Sequence, residues 1–262
     1  MDLGYFETGL PVKDIAASLA FYEALGFQRV DGSVAARSLT LARGDCRLGL
    51  YQGHLDPDKV QLIFWQGDVE AIAGEAGRRG LGFRVPLKRD DNGVAFMLED
   101  PDGNPLFVIH EQVFFRGEPG LAHPAPAERP QAAVDPALGW FEISLEVADI
   151  DRAVAFYETL GFQVVVRETK GTRVSVQNGD CRVGLFKGHL QPPRPQLIFW
   201  QGDIDALAQT VTGHGLGFVN PPRRDASGAA FMIEDPDGHP LFFINMRGVA
   251  RQQPDPTAVA AG

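Results

Sequence analysis

Leu62-Ile63-Phe64-Trp65-Gln66-Gly67-Asp68 returns unchanged as Leu197-Ile198-Phe199-Trp200-Gln201-Gly202-Asp203, an offset of 135 residues. The same offset holds outward in both directions. Gly4-Tyr5-Phe6-Glu7 maps onto Gly139-Trp140-Phe141-Glu142, and Glu99-Asp100-Pro101-Asp102-Gly103 maps onto Glu234-Asp235-Pro236-Asp237-Gly238. No gap is needed from Gly4 to His110, and about half of the paired positions are identical, which is the signature of an internal repeat. The chain is one module written twice, and a site is expected between the two copies.

Each copy has an ordinary domain's length, and a hydrophobic fraction of 44% can furnish a core for both. A net charge of −10 argues against nucleic acid or an anionic membrane as partner, because both need clustered Lys and Arg. No apolar run nears the roughly 20 residues that span a bilayer, and Met1-Asp2-Leu3-Gly4 does not begin a signal peptide. A cytoplasmic location is therefore expected. Cys46 and Cys181 are repeat equivalents, expected as buried small hydrophobes rather than a disulfide.

Each module opens with a strand, Tyr5–Leu10 or Trp140–Val147. An amphipathic stretch, Asp14 to Gly26, follows. Asp14 suits an N-cap, Gly26 suits the position after the last turn, and Ile15, Leu19, Tyr22 and Leu25 keep helical spacing. Asp149 to Gly161 repeats it. Strands are expected near Val34–Ala42, Cys46–Gln52 and Val60–Gln66, then a helix from about Asp68 to Gly80 with Val69, Ile72, Ala73 and Ala76 on one side. A hairpin of Val94–Glu99 and Pro105–His110 closes the module around the turn at Asp100-Pro101-Asp102-Gly103-Asn104. The division is then a first module over 1–113, a Pro/Ala-rich linker over 114–137, a second module over 138–247 and a disordered tail over 248–262. Phe114 and Phe115 at the linker's head are candidates to dock on the body. Each module holds two strand–helix–strand units, Tyr5–Gln52 and Val60–His110.

Three phrases carry a resemblance: Leu10-Pro11-Val12-Lys13-Asp14-Ile15, Phe21-Tyr22-Glu23-Ala24-Leu25-Gly26-Phe27, and Glu99-Asp100-Pro101-Asp102-Gly103-Asn104-Pro105, each with its second copy 135 residues on. Together they resemble the vicinal oxygen chelate superfamily of glyoxalases, bleomycin-resistance proteins and extradiol dioxygenases. The resemblance implies an α+β fold: two tandem glyoxalase-like modules, each of paired βαβββ units forming an open barrel, fused as a pseudo-dimer. It also implies a monomeric pseudo-dimer or a homodimer.

Many members of that superfamily hold one divalent metal on His, Glu or Gln. The resemblance puts the ligand positions here at Glu7 and Glu142, Gly49 and Gly184, Gln61 and Gln196, and Phe107 and Phe242. One Glu and one neutral Gln are too few ligands to compete with water for such an ion. The expectation is no cofactor, with a divalent metal as the alternative. His54 and His189 are expected as solvated loop residues.

Strand alternation puts Arg47, Gly49 and Tyr51 on one side, Arg182 and Phe186 on the matching side of the copy, and Gln61, Ile63 and Trp65 (Gln196, Ile198 and Trp200) on another inward face. The expected cavity is aromatic and apolar, with Glu7, Arg47 and Gln196 in one site and Glu142, Arg182 and Gln61 in the other. A structural Glu7–Arg47 pair is equally open, Trp65 is more often core than a ligand platform, and Asp100 and Asp102 are expected as turn formers rather than catalytic carboxylates.

Two functions follow. The first is a metal-free binding protein of the bleomycin-resistance type that holds a small aromatic or carbonyl compound. Its stacking groups are Tyr5, Trp65, Phe107, Trp140, Trp200 and Phe242, and Glu7 and Glu142 attract a cation. The alternative is a glyoxalase-type lyase or isomerase with Glu7 or Glu142 as catalytic base and Arg47 or Arg182 holding the oxyanion, metal-dependent or not. A scaffold without chemistry is a weaker third.

Overall fold

The computed structural model describes residues 1–91, 93–111, 134–190 and 194–247. Phe114, Phe115, the tail over 248–262 and all of the linker except 134–137 lie outside these residues. In module 1 the elements run β1 (Gly4–Pro11), α1 (Ile15–Ala24), β2 (Gln28–Ser33), β3 (Ser38–Arg43), β4 (Cys46–Tyr51), β5 (Gln61–Gln66), α2 (Val69–Arg78), β6 (Phe83–Asp90), β7 (Gly93–Glu99) and β8 (Pro105–Glu111). Module 2 repeats them as β9 (Gly139–Glu146), α3 (Ile150–Thr159), β10 (Gln163–Arg167), β11 (Arg173–Asn178), β12 (Cys181–Phe186), β13 (Gln196–Gln201), α4 (Ile204–Gly213), β14 (Asn220–Arg224), β15 (Gly228–Glu234) and β16 (Pro240–Met246). None of the described helices is long and apolar enough to cross a membrane.

The helices begin where side-chain acceptors meet orphan backbone donors. Asp14 accepts from the amides of Ala16 and Ala17 at 3.0 and 3.2 Å, and Asp68 from Ala71 at 3.0 Å. Gly26 leaves α1 in the left-handed region, at φ +81°, which suits a residue with no Cβ. Tyr22 and Ile15 are buried and Leu19 packs half-buried against the core, as their spacing predicts, and Ser18 is buried beside them. Its hydroxyl reaches Asp237 of the other module, 3.0 Å away.

Each module makes one open eight-stranded sheet, in the order β2-β3-β4-β1-β5-β8-β7-β6 and its repeat. The seam is β1 against β5, antiparallel, with Glu7 opposite Ile63 and Gly9 opposite Gln61. Because both halves of one module build one sheet, Gln61 belongs with Glu7 and Gln196 with Glu142. The expected exchange of the two glutamines between modules is corrected, and the candidate site positions lie together within each copy. Strands β2 and β6, and their copies, fell outside the expected set. They are edge strands with register shifts, and β6 and β14 carry prolines, which only edges and bulges tolerate.

Alternation gives every central strand two buried faces. Phe6, Leu10, Leu48, Leu50, Leu62 and Phe64 join a core that continues through Phe141, Leu145, Leu197 and Phe199 of the second module. Tyr51, Ile63, Trp65 and Ile109 form a separate cluster on the other face, as do Trp140, Phe186, Ile198 and Trp200 in the copy. We call these the core face and the site face. Cys46 and Cys181 are free thiols buried on the core side, where burial pushes their pKa well above the usual range.

Across the shared core the modules exchange hydrogen bonds in reciprocal pairs. Tyr22 donates to Asp235 at 3.0 Å and Tyr157 to Asp100 at 3.1 Å, both buried. The Phe6 amide donates to Asp180, and the Phe141 amide to Asp45, each at 3.1 Å. Lys13 and Ala148 amides reach Asp237 and Asp102 at 2.9 Å. Asp100 also shapes its own turn, accepting from the amides of Asp102 and Asn104 at 3.0 and 2.9 Å. Turn-forming and module-joining are thus one residue's work.

Tyr22→Phe removes one donor from a buried carboxylate oxygen that keeps His239 as its other partner, and is expected to cost about 1–3 kcal/mol in chemical denaturation, with Tyr157→Phe, which leaves Asn104 on Asp100, costing a similar amount. A change under about 0.3 kcal/mol for both would show that the modules do not depend on these bonds. Burial pushes the Asp45 carboxyl up to about 6, against the pull of the Phe141 amide and the Arg182 charge. The folded state then holds its proton more tightly than the unfolded one. The stability this confers is present below about pH 4 and is lost as pH rises through about 6. Relative to Asp45→Asn, the natural chain should therefore lose about 1–2 kcal/mol between pH 4 and pH 7, allowing for the residue's part exposure. A flat difference across that range counts against the assignment.

Candidate functional site

On the site face of module 1, β1 brings Tyr5 and Glu7, β4 brings Arg47, Gly49 and Tyr51, β5 brings Gln61, Ile63 and Trp65, and β8 brings Phe107 and Ile109. Glu7 is the centre, only 1% exposed. Tyr51 donates to its Oε1 at 2.6 Å, Thr40 to its Oε2 at 2.7 Å, and the Trp65 indole to Oε1 at 3.4 Å. Burial pushes the Glu7 pKa up, and these three donors with the Arg47 charge oppose it without cancelling it. Arg47 sits 5.2 Å over the Tyr5 ring instead of on the Glu7 carboxylate, so the close Glu7–Arg47 pair is not formed. Tyr5 stacks with Trp65 at 6.4 Å, and its hydroxyl pKa is raised by burial and by Glu7.

Gly49 leaves the room this arrangement needs. A Cβ there would overlap Glu7 Oε1 and Tyr51 Cε2, and one at Gly184 would overlap Glu142 Oε1. Glycine at these two positions is what lets the carboxyl fold back onto its own strand's neighbours.

Module 2 keeps the plan and changes the partners. Glu142 is fully buried. Ser175 donates to its Oε2 at 2.6 Å, and Ser144 and Arg173 approach Oε1 at 3.4 Å. Phe186 stands where Tyr51 does, with no hydroxyl to offer. Trp140 and Trp200 are stacked at 5.4 Å and 15°, with the Arg182 guanidinium 4.4 Å over Trp140 and that of Arg173 4.1 Å over Trp200. Gln196 lies opposite Ser144, and Phe242 packs half-buried at the edge of the cluster.

All the expected site residues therefore share a face within their own module. Thr40, Ser175 and Arg173 were missed. Alternation on β11 does put Arg173 and Ser175 on one side, but Ser38 is the counterpart of Arg173, so the repeat gave no sign of a second guanidinium. His54 and His189 are exposed loop residues, as expected.

The donor set can be tested against a divalent ion. Gly49 and Gly184 offer nothing, Phe107 and Phe242 cannot coordinate, and both Glu carboxylates already accept from protein donors. No group of three or more His, Cys, Asp or Glu among the described residues is arranged to hold an ion. These residues do not fit the metal that many related folds carry.

The structure superposes on catechol 2,3-dioxygenase with a TM-score of 0.60 at 19% identity, covering 96% of this chain and 89% of that one. It also matches the Mn(II)-bound glyoxalase from Novosphingobium aromaticivorans, at a TM-score of 0.58 and 18% identity over 91% and 80% of the two chains. The 2,3-dioxygenase LapB from Pseudomonas sp. KL28 gives 0.59 and 14% over 96% and 93%. At these identities the likeness is one of fold. No curated protein matched the sequence. The sequence model for the Glyoxalase/Bleomycin resistance protein/Dioxygenase superfamily matches residues 4–107 and again 138–243. Both copies are covered almost end to end, and the chain belongs to that superfamily.

Proposed function

We propose that this chain is a metal-free binding protein of the superfamily, taking a small aromatic or carbonyl compound on the site face of its sheets. One observation carries the reading: in each copy the carboxyl at the first ligand position is occupied by the protein's own donors, amid stacked aromatic rings. Such a face offers π surface and a few fixed polar atoms, the usual makeup of a small-molecule site. Tyr5, Arg47 and Phe107 keep part of their surface open and give a ligand its approach.

A second reading rests on the raised pKa of Glu7. A buried carboxyl that ionises late is a stronger base, suited to removing a proton beside a carbonyl. In that case turnover should rise with pH as Glu7 ionises, and Glu7→Gln should abolish it. Activity retained in Glu7→Gln removes Glu7 as the base.

The three tryptophans all lie on site faces, so selectively excited tryptophan fluorescence reports on those faces. Aromatic and dicarbonyl compounds should quench it saturably, and to the same extent after exhaustive chelation. No saturable change across a broad panel, or loss of binding with the chelator, would sink the proposal. Gly49→Ala should push Glu7 and Tyr51 apart and destabilise the chain by about 1–3 kcal/mol, read by denaturant unfolding. A neutral effect would mean that the packing around Glu7 is loose.

A further inference from the structure

The two site faces are not equivalent. In module 1 the indole of Trp65 and the hydroxyl of Tyr51 both end on Glu7. In module 2 three buried donors, Trp140 Nε1, Trp200 Nε1 and Arg173 Nε, find no hydrogen-bond partner among the described residues. The three residues are at least nine-tenths buried and belong to one cluster of contacts. Buried N–H groups are nearly always paired in native proteins, so three together on one face lack an acceptor.

The sequence differences account for this. Ser38 is replaced by Arg173, Tyr51 by Phe186, and Tyr5 by Trp140. The first exchange adds a charge, the second removes a hydroxyl, and the third adds an indole N–H. Glu142 accepts from Ser175, Ser144 and Arg173, and neither indole reaches it. Two guanidiniums lie over two stacked rings, facing one buried carboxylate. Glu168 meets the outer nitrogen of Arg173 at 3.4 Å on the exposed side, and Asp45 of module 1 acts on Arg182 from the other. Arg182 donates to Gln177 at 3.1 Å. Burial, with the Arg173 charge adding to it, disfavours the charged form of Arg182.

We infer that module 2 is the ligand-selective half, and that it takes a planar aromatic carboxylate. The ring takes the face of Trp140 that the Arg182 guanidinium covers in the free chain, and so extends the Trp140–Trp200 stack. The carboxylate oxygens accept from the two indoles and Arg173 Nε as charge-assisted hydrogen bonds. This rests on the aromatic-binding reading above and adds to it both the half of the chain and the charge of the ligand.

Three tryptophans give three indole N–H resonances, which single Trp→Phe variants assign. The ¹⁵N-labelled full chain is titrated with 2-naphthoate and, separately, with its neutral isostere 2-naphthamide. Naphthoate should move the Trp140 and Trp200 resonances together, and naphthamide should need at least tenfold higher concentration. Arg173→Lys, which keeps the charge but loses Nε and the planar fork, should weaken naphthoate at least tenfold with the thermal melt retained. Equal affinity for the two probes, or a shift at Trp65 alone, overturns the carboxylate assignment and leaves the aromatic-binding reading standing. Naphthoate leaving both module 2 indoles unmoved overturns the inference even if the lysine variant fails to fold. The fluorescence panel decides the broader reading separately.

Discussion

A phenol hydroxyl of one module donating to a turn aspartate of the other is the bond on which the architecture rests. Tyr22 reaches Asp235 and Tyr157 reaches Asp100, so each helix is tied to the opposite module's hairpin turn. Each of these aspartates is also the acceptor that shapes its own turn. Loosening one side therefore disturbs both a turn and a junction. The surrounding phenylalanines close the gap: Phe27 meets Phe199 and Phe64 meets Phe162 edge to face, 6.4 and 6.3 Å apart. Burial raises the Asp100 pKa even though Asn104, Asp102 and Tyr157 all donate to it, a sign of how dry the junction is.

That junction holds the core faces of both modules, and its own residues match between the copies: Tyr22 and Tyr157, Phe64 and Phe199, Cys46 and Cys181. Elsewhere on the core side the copies differ in apolar volume, as Leu39 and Val174 or Val108 and Phe243 do. On the site side Glu7, Arg47, Gln61 and Trp65 return as Glu142, Arg182, Gln196 and Trp200, and the exchanges around them change polar chemistry. Tyr51 became Phe186, Ser38 matches Arg173 and Gly9 matches Ser144. The core exchanges alter apolar volume, whereas these alter hydrogen bonding and charge, so the two faces differ in the polar groups they present.

Most of the fold was legible because the repeat, the Asp caps and the strand alternation are local signals. Asp14, Asp68 and Gly26 mark helix ends by chemistry within four residues of the feature they control. Alternation on β4 and β5 likewise placed Tyr51 and Trp65 beside Glu7. Two things were not local. Which module's Gln61 would join Glu7 depends on the β1–β5 pairing, and an exact repeat reads the same whichever way its halves pair. The Tyr22–Asp235 bond joins residues 213 apart, and a turn aspartate looks the same whether or not a tyrosine reaches it. Arg173 was missed because attention to matched positions hides the unmatched ones.

Gly49 and Gly184 also limit what a single substitution can achieve. Any side chain long enough to coordinate an ion from position 49 would run into Glu7 and Tyr51, which now fill that space. Placing a ligand there would first require the neighbouring carboxyl to swing away, and Phe107 to change as well. Each step taken alone costs packing and returns no binding. The glycine thus works as a ratchet: with the carboxyl settled against it, no single substitution at this position supplies an ion ligand in either half of the chain.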